Sequence, residues 1–176
     1  ISNTENGATH IATGDVDGDG DLDIVTAAAT TNTVSWYENQ DNEAFIARVI
    51  TSEAFGANHV LIVDLDGDGD RDILSTSASD DSIRWHENDS TQQFTTPSVN
   101  NEAAGARGLA AADLNGDGYL DLAIGGWDEN GDETLQLYAN DGLGNLSRDQ
   151  EEIALIGTPG LEGVRSASPA WAHTDT

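Results

Sequence analysis

Short apolar runs broken by Gly, Asn and Asp govern most of the chain. In the first fifty residues they are His10–Gly14, Asp23–Ala28, Thr33–Glu38 and Phe45–Ile50. Each is rich in Val, Ile, Ala or aromatic residues and is bounded by turn formers, which predicts four short β-strands. No stretch carries a helical period of useful length.

The pattern recurs at an interval of 49 residues. Gly7-Ala8 returns as Gly56-Ala57 and Gly105-Ala106, and His10 returns as His59. Val34-Ser-Trp36-Tyr-Glu-Asn39 returns as Ile83-Arg-Trp85-His-Glu-Asn88, and Phe45 as Phe94. The third copy carries three extra residues around Trp127–Asp132, after which Leu137-Tyr-Ala-Asn140 and Leu146 take the corresponding places. A period of this length marks a propeller, solenoid or array. Four antiparallel strands per repeat describe β-propeller blades. The expected fold is therefore all-β: one propeller segment over residues 1–176, with repeats at about 7–55, 56–104 and 105–156 and a partial repeat at 157–176. Ile1 aligns with Ile50, so the chain is expected to open on the close of an earlier blade. Near the other end Ala172, His173 and Asp175 align with Gly14, Asp15 and Asp17, as a partial fourth copy. Three blades do not close a ring, which takes 4–8. A segment of a longer protein is the favoured reading; assembly of several copies is the alternative.

Between the first and second strand of every repeat lies an acidic loop. The three read Asp15-Val-Asp-Gly-Asp-Gly-Asp-Leu-Asp23, Asp64-Leu-Asp-Gly-Asp-Gly-Asp-Arg-Asp72 and Asp113-Leu-Asn-Gly-Asp-Gly-Tyr-Leu-Asp121. Oxygen side chains at positions 1, 3, 5 and 9 suit a hard cation. Calcium fits best, because it takes 6–8 oxygens in flexible geometry. The expected ligands are Asp15, Asp17, Asp19 and Asp23, with the backbone carbonyl of Asp21. The second set is Asp64, Asp66, Asp68, Asp72 and the Asp70 carbonyl. The third is Asp113, Asn115, Asp117, Asp121 and the Tyr119 carbonyl, since a phenol is a poor calcium ligand. With Asn115 in place of a carboxylate, the third site is expected to bind more weakly. An EF-hand is excluded: position 12 holds Thr26, Ser75 and Ile124 where an acidic residue is needed, and the flanks are strands. A turn alone needs no row of mutually repelling carboxylates, and three copies at constant spacing favour the metal. Its expected role is to pin each inner hairpin.

Composition narrows the partners. The formal charge is −27, and three divalent ions reduce that by six, to −21. The loops hold 13 of the 33 acidic residues, so calcium alone does not explain the surface. Nucleic acid and anionic membrane are excluded as partners by charge. An Asp-rich surface without Lys suits either high salt or a strongly solvated secreted protein. With no cysteine, no disulfide or thiolate chemistry is available. No apolar run is long enough to span a bilayer and no signal peptide is visible; opening on Ile1 fits a targeting segment removed upstream.

The loops together with Trp36-Tyr-Glu-Asn39 and Trp85-His-Glu-Asn88 resemble the FG-GAP/VCBS repeat family, whose signature is Asp-x-Asp-Gly-Asp-Gly-x-x-Asp, often followed by Trp-Tyr-Glu-Asn. The resemblance spans about Gly7 to Leu146; the third copy keeps the loop and loses the Trp-Tyr-Glu portion. It implies a calcium-stabilised propeller, commonly seven-bladed and related to the integrin α-chain head. It further implies an extracellular or cell-surface protein that serves adhesion, carbohydrate or protein binding, or assembly. On this basis the chain is expected to be a non-enzymatic calcium-binding repeat protein. One alternative is the scaffold of a secreted carbohydrate-active enzyme whose catalytic residues lie elsewhere. Another is a structural subunit that polymerises through unpaired ends.

Trp36 and Trp85 are either exposed sugar platforms or inter-blade packing, and recurrence at one register favours packing. Trp127, in the third copy's insertion, is the better candidate for binding. The insertion tip Asp128–Asp132 reads as a hairpin end rather than a further cation site. The four His, at 10, 59, 86 and 173, form no catalytic set. Asn88-Asp-Ser90 and Asn145-Leu-Ser147 fit the glycosylation sequon, the first as a by-product of a repeated turn.

Overall fold

Strand pairing follows from the repeat: each acidic loop is short enough to fold the strand after it back on the strand before it. A computed structural model describes residues 6–148 apart from 41–43, 97, 101–102, 104 and 129. Among them are thirteen β-strands and no helix. The first sheet is β1 (Ala8–Gly14), β2 (Asp23–Ala28), β3 (Thr33–Gln40) and β4 (Ala44–Thr51), antiparallel and paired in chain order. The second is β5 (Ala57–Val63), β6 (Asp72–Ser77) and β7 (Ser82–Asn88), with an outer edge in two pieces. These pieces, β8 (Phe94–Thr95) and β9 (Ser98–Asn100), both pair with β7. The third sheet is β10 (Gly108–Ala112), β11 (Asp121–Trp127), β12 (Glu133–Asn140) and β13 (Leu146–Arg148). Phe45, Phe94 and Leu146 pair with Asn39, Asn88 and Asn140, so the 49-residue alignment holds in the ladder itself. The remainder of the third repeat beyond 148, the partial repeat at 157–176 and the motif at His173–Asp175 lie outside the described residues.

The sheets stack face to face as propeller-type blades, with β1 packed on β5 and β5 on β10. The core sits between sheets. One cluster joins Val16, Val25, Val34 and Trp36 of the first sheet to Ala54, Val60 and Ile73 of the second. The other joins Leu65, Leu74, Ile83 and Trp85 to Ala106, Leu109, Leu122, Ile124 and Tyr138 of the third. Strand β6 is therefore covered on both faces, Ile73 pointing into one seam and Leu74 into the other, and every one of its residues is buried. Trp36 and Trp85 are buried in the seams, as their recurrence predicts.

Among the described residues, the outer faces of the first and third blades expose apolar side chains at positions that the internal seams bury. Val60 and Leu109 are 0% and 7% exposed, whereas Ile11 at the same position of the first blade is 58% exposed. Val16 and Leu65 are 2% exposed, and their third-blade equivalent Leu114 is 44% exposed. Each seam is also tied at the end away from the acidic loops. Asn32, held at φ 57°, accepts the Gly56 N–H on Oδ1 at 2.9 Å, and Asp81 at φ 53° accepts that of Gly105 at 2.8 Å.

Candidate metal centres

The acidic loops fill the β1–β2, β5–β6 and β10–β11 connections, and all three fold alike. Asp15 at position 1 receives the N–H of Gly18 on Oδ1 (2.8 Å) and of Gly20 on Oδ2 (3.1 Å). Asp64 does the same for Gly67 and Gly69, and Asp113 for Gly116 and Gly118. Gly18 and Gly20 have φ of 75° and 98°, and a Cβ there would meet nothing within 4 Å. Glycine is needed for the left-handed backbone rather than for space. With the chain so wrapped, carboxylate oxygens of Asp15, Asp17 and Asp19 lie within 4.8 Å of one another, as do those of Asp64, Asp66 and Asp68. In the third loop Asn115 Nδ2 donates to Asp117 Oδ2 at 2.9 Å.

Position 9 is built differently. Asp23, Asp72 and Asp121 are buried, and each carboxylate bridges two chain segments. Asp23 accepts the Val16 N–H on Oδ2 (3.0 Å) and the Asn39 N–H on Oδ1 (2.8 Å). Asp72 takes those of Leu65 and Asn88, and Asp121 those of Leu114 and Asn140. Asp121 Oδ2 also accepts the Asn115 N–H at 3.3 Å. At position 7, the Asp21, Asp70 and Tyr119 N–H groups donate to the position-5 carboxylates of Asp19, Asp68 and Asp117. The Tyr119 ring lies against Gly142, where a Cβ would come within 2.3 Å of it.

Burial raises the pKa of Asp17 and of Asp66, with neighbouring carboxylates adding to the effect. Burial pushes Asp72 up to about 6 against the pull of the Asn88 and Leu65 N–H groups. The described residues hold two ion pairs, Arg48–Glu38 and Arg84–Asp80, and neither touches a loop. Two sets of three converging carboxylates, all oxygen donors and without a basic partner in an ion pair, fit a hard divalent cation. The third loop has Asn115 in place of one carboxylate, and no such carboxylate triplet forms there among the described residues.

One role was invisible in the sequence. The Asn ending the third strand of each blade stands out as part of a repeated segment, but only the fold shows its amide at work beside the loop. Asn88 Nδ2 donates to Arg71 O (3.2 Å), and Asn140 Nδ2 to Leu120 O (3.0 Å). Asn88 is 3% exposed, so its sequon is closed in the folded chain. Trp127 ends β11 with Arg107 4.2 Å from its ring centroid, and the tip beyond it is a hairpin end in which Asp128 Oδ1 accepts the Asn130 and Asp132 N–H groups.

A family model described as an FG-GAP-like repeat matches residues 15–75 and again 64–124, together more than half of the chain. Each match opens on the first Asp of one loop and closes in the strand after the next. A search of curated proteins finds no significant match.

Proposed function

The chain belongs to the FG-GAP-like repeat family, and from that premise we propose that it is a calcium-stabilised, non-enzymatic repeat protein of the cell exterior. Its work is adhesion, carbohydrate or protein binding, or assembly. The observation that carries the calcium reading is the pair of carboxylate triplets at Asp15/Asp17/Asp19 and Asp64/Asp66/Asp68. Among the described residues their mutual repulsion is offset by backbone N–H groups. Calcium held there would supply the missing positive charge and lock the inner hairpin of each blade. The residues that would hold it are Asp15, Asp17, Asp19 and Asp23; Asp64, Asp66, Asp68 and Asp72; and Asp113, Asn115, Asp117 and Asp121. The position-7 carbonyls of Asp21, Asp70 and Tyr119 complete the three sets.

Binding to the native state alone stabilises by mass action, by about 2.7 kcal/mol per site at a hundredfold excess over Kd. Thermal melts with calcium and with EDTA test this, paired with elemental analysis of the dialysed protein. A higher Tm in calcium and bound metal are expected. Coincident melts and no metal would remove the reading.

The exposed outer faces of the first and third blades favour a related role in blade-to-blade assembly. Ile11 and Leu114 are exposed at positions that the internal seams bury. Further blades of the same kind, in a longer chain or in a second copy, suit both faces. Sedimentation of the 176-residue chain separates a monomer from head-to-tail oligomers.

A further inference from the structure

The acidic loop of one blade is tied to the blade that follows it. Asn88 Nδ2, besides its bond to Arg71 in its own blade, donates to Val16 O of the first blade at 3.1 Å. Asn140 Nδ2 makes the same reach to Leu65 O of the second blade, at 2.7 Å. Val16 and Leu65 occupy position 2 of their loops. Each gives its N–H to the buried Asp of its own blade, at 3.0 and 3.1 Å, and its carbonyl to the next blade's Asn. The peptide group carrying that carbonyl leads directly into Asp17 or Asp66, the position-3 member of each carboxylate triplet. The side chains of Val16 and Leu65 meanwhile fill the seams. One residue thus holds together the loop, the buried Asp and the neighbouring blade.

We propose that Asn88 and Asn140 are positioning residues that couple cation binding in one blade to docking of the next: Asn88 acts on the Asp15–Asp23 loop and Asn140 on the Asp64–Asp72 loop. The inference rests on the calcium reading above. Three converging carboxylates favour an open loop when no ion is present. A bond that fixes the position-2 carbonyl raises the share of chains whose loop is already closed, and apparent affinity scales with that share. The coupling is reciprocal, so calcium in the first loop tightens the seam between the first and second blades. Asn39 is the internal control. It occupies the same place in the first blade and donates to Leu22 O of its own blade at 3.2 Å.

The test uses the full chain in two backgrounds. D66A with D117A leaves the first loop as the calcium site; D17A with D117A leaves the second. Calorimetric titration with calcium is expected to show N88A weakening the first loop about tenfold, a coupling of ordinary allosteric size. N140A is expected to do the same to the second loop. Asn88 makes no bond to the first loop other than the one across the seam, so a first-loop affinity unchanged within about twofold (under 0.5 kcal/mol) would overturn the coupling. A second arm needs no metal. Amide exchange at Gly18 and Gly20 in EDTA is expected to quicken in N88A, and unaltered protection would equally overturn it. If N88A fails to fold, N88S provides the same readings. A parent chain that takes up no calcium would instead overturn the calcium reading, leaving the exchange arm to decide whether the bond holds the loop.

Discussion

The imidazole of His10 lies stacked on that of His59 across the seam between the first two blades, with centroids 3.6 Å apart and planes inclined by 24°. The Val60 N–H points to His10 Nδ1 at 3.4 Å. Burial, and then the neighbouring His10, hold His59 below its ordinary pKa of 6.5. A histidine depressed in the folded state binds more protons when unfolded. Its contribution is therefore complete above pH 6.5 and declines as pH falls. Between pH 7 and 5 the urea midpoint of the parent is expected to fall relative to that of H59Q, since Asp72, pushed up to about 6, titrates with the opposite sign in both chains. A slope identical in H59Q and the parent would mean that the stack does not sense pH.

His86 gives a second, independent slope of the same sign. It is fully buried in the second blade, with Nε2 3.0 Å from Ser75 Oγ and Nδ1 3.1 Å from Thr96 Oγ1. Burial, and then Arg84, push its pKa down to about 3. Each pH unit below 6.5 should cost about 1.4 kcal/mol from this residue while the fold persists. H86Q keeps a donor and an acceptor without the titration, so its stability should fall less between pH 6.5 and 5.

Trp36 is 1% exposed, meets Phe94 of the next blade edge to face at 6.1 Å and has the Arg48 guanidinium 5.4 Å from its ring. W36A should therefore cost about 3–5 kcal/mol, the range for a large core aromatic. Trp127 is 42% exposed and holds one cation–π contact, so W127A should cost about 1 kcal/mol or less. Denaturant midpoints measure both. A stable W36A chain that had lost sugar binding would return Trp36 to the role of a stacking platform.

What could be read in advance divides by range. Strand β2 occupies Asp23–Ala28, as the apolar runs predict, because hairpin strands and Gly-Asp turns are set by neighbours in sequence. The place of Trp36 in a seam follows from its recurrence. The role of the position-9 Asp does not. Asp23 reads as one more oxygen in a row of five, yet its carboxylate joins Val16 to Asn39, which lies sixteen residues beyond Asp23 itself. The reach of Asn140 to Leu65 spans 75 residues. Such contacts depend on how one blade stacks on the next, and no local spacing encodes that.

The third loop shows how charge alone should tune a site. Its backbone is that of the other two, with Asp113 holding Gly116 at 2.7 Å and Gly118 at 3.0 Å. Asn115 Oδ1 accepts the Asp117 N–H, just as Asp17 Oδ1 accepts that of Asp19. At position 3 the amide is the difference, and its Nδ2 competes with an ion for Asp117 Oδ2. Asn115→Asp removes this competing bond and adds a negative ligand, so calcium affinity at the loop should rise about tenfold, a gain of roughly 1.4 kcal/mol. The same change should lower stability in EDTA, since it restores a triplet of repelling carboxylates. Calcium titration and paired melts therefore move in opposite directions for one substitution. An N115D chain more stable than the parent in EDTA, or no tighter for calcium, would mean that the loop carboxylates are not what holds the ion.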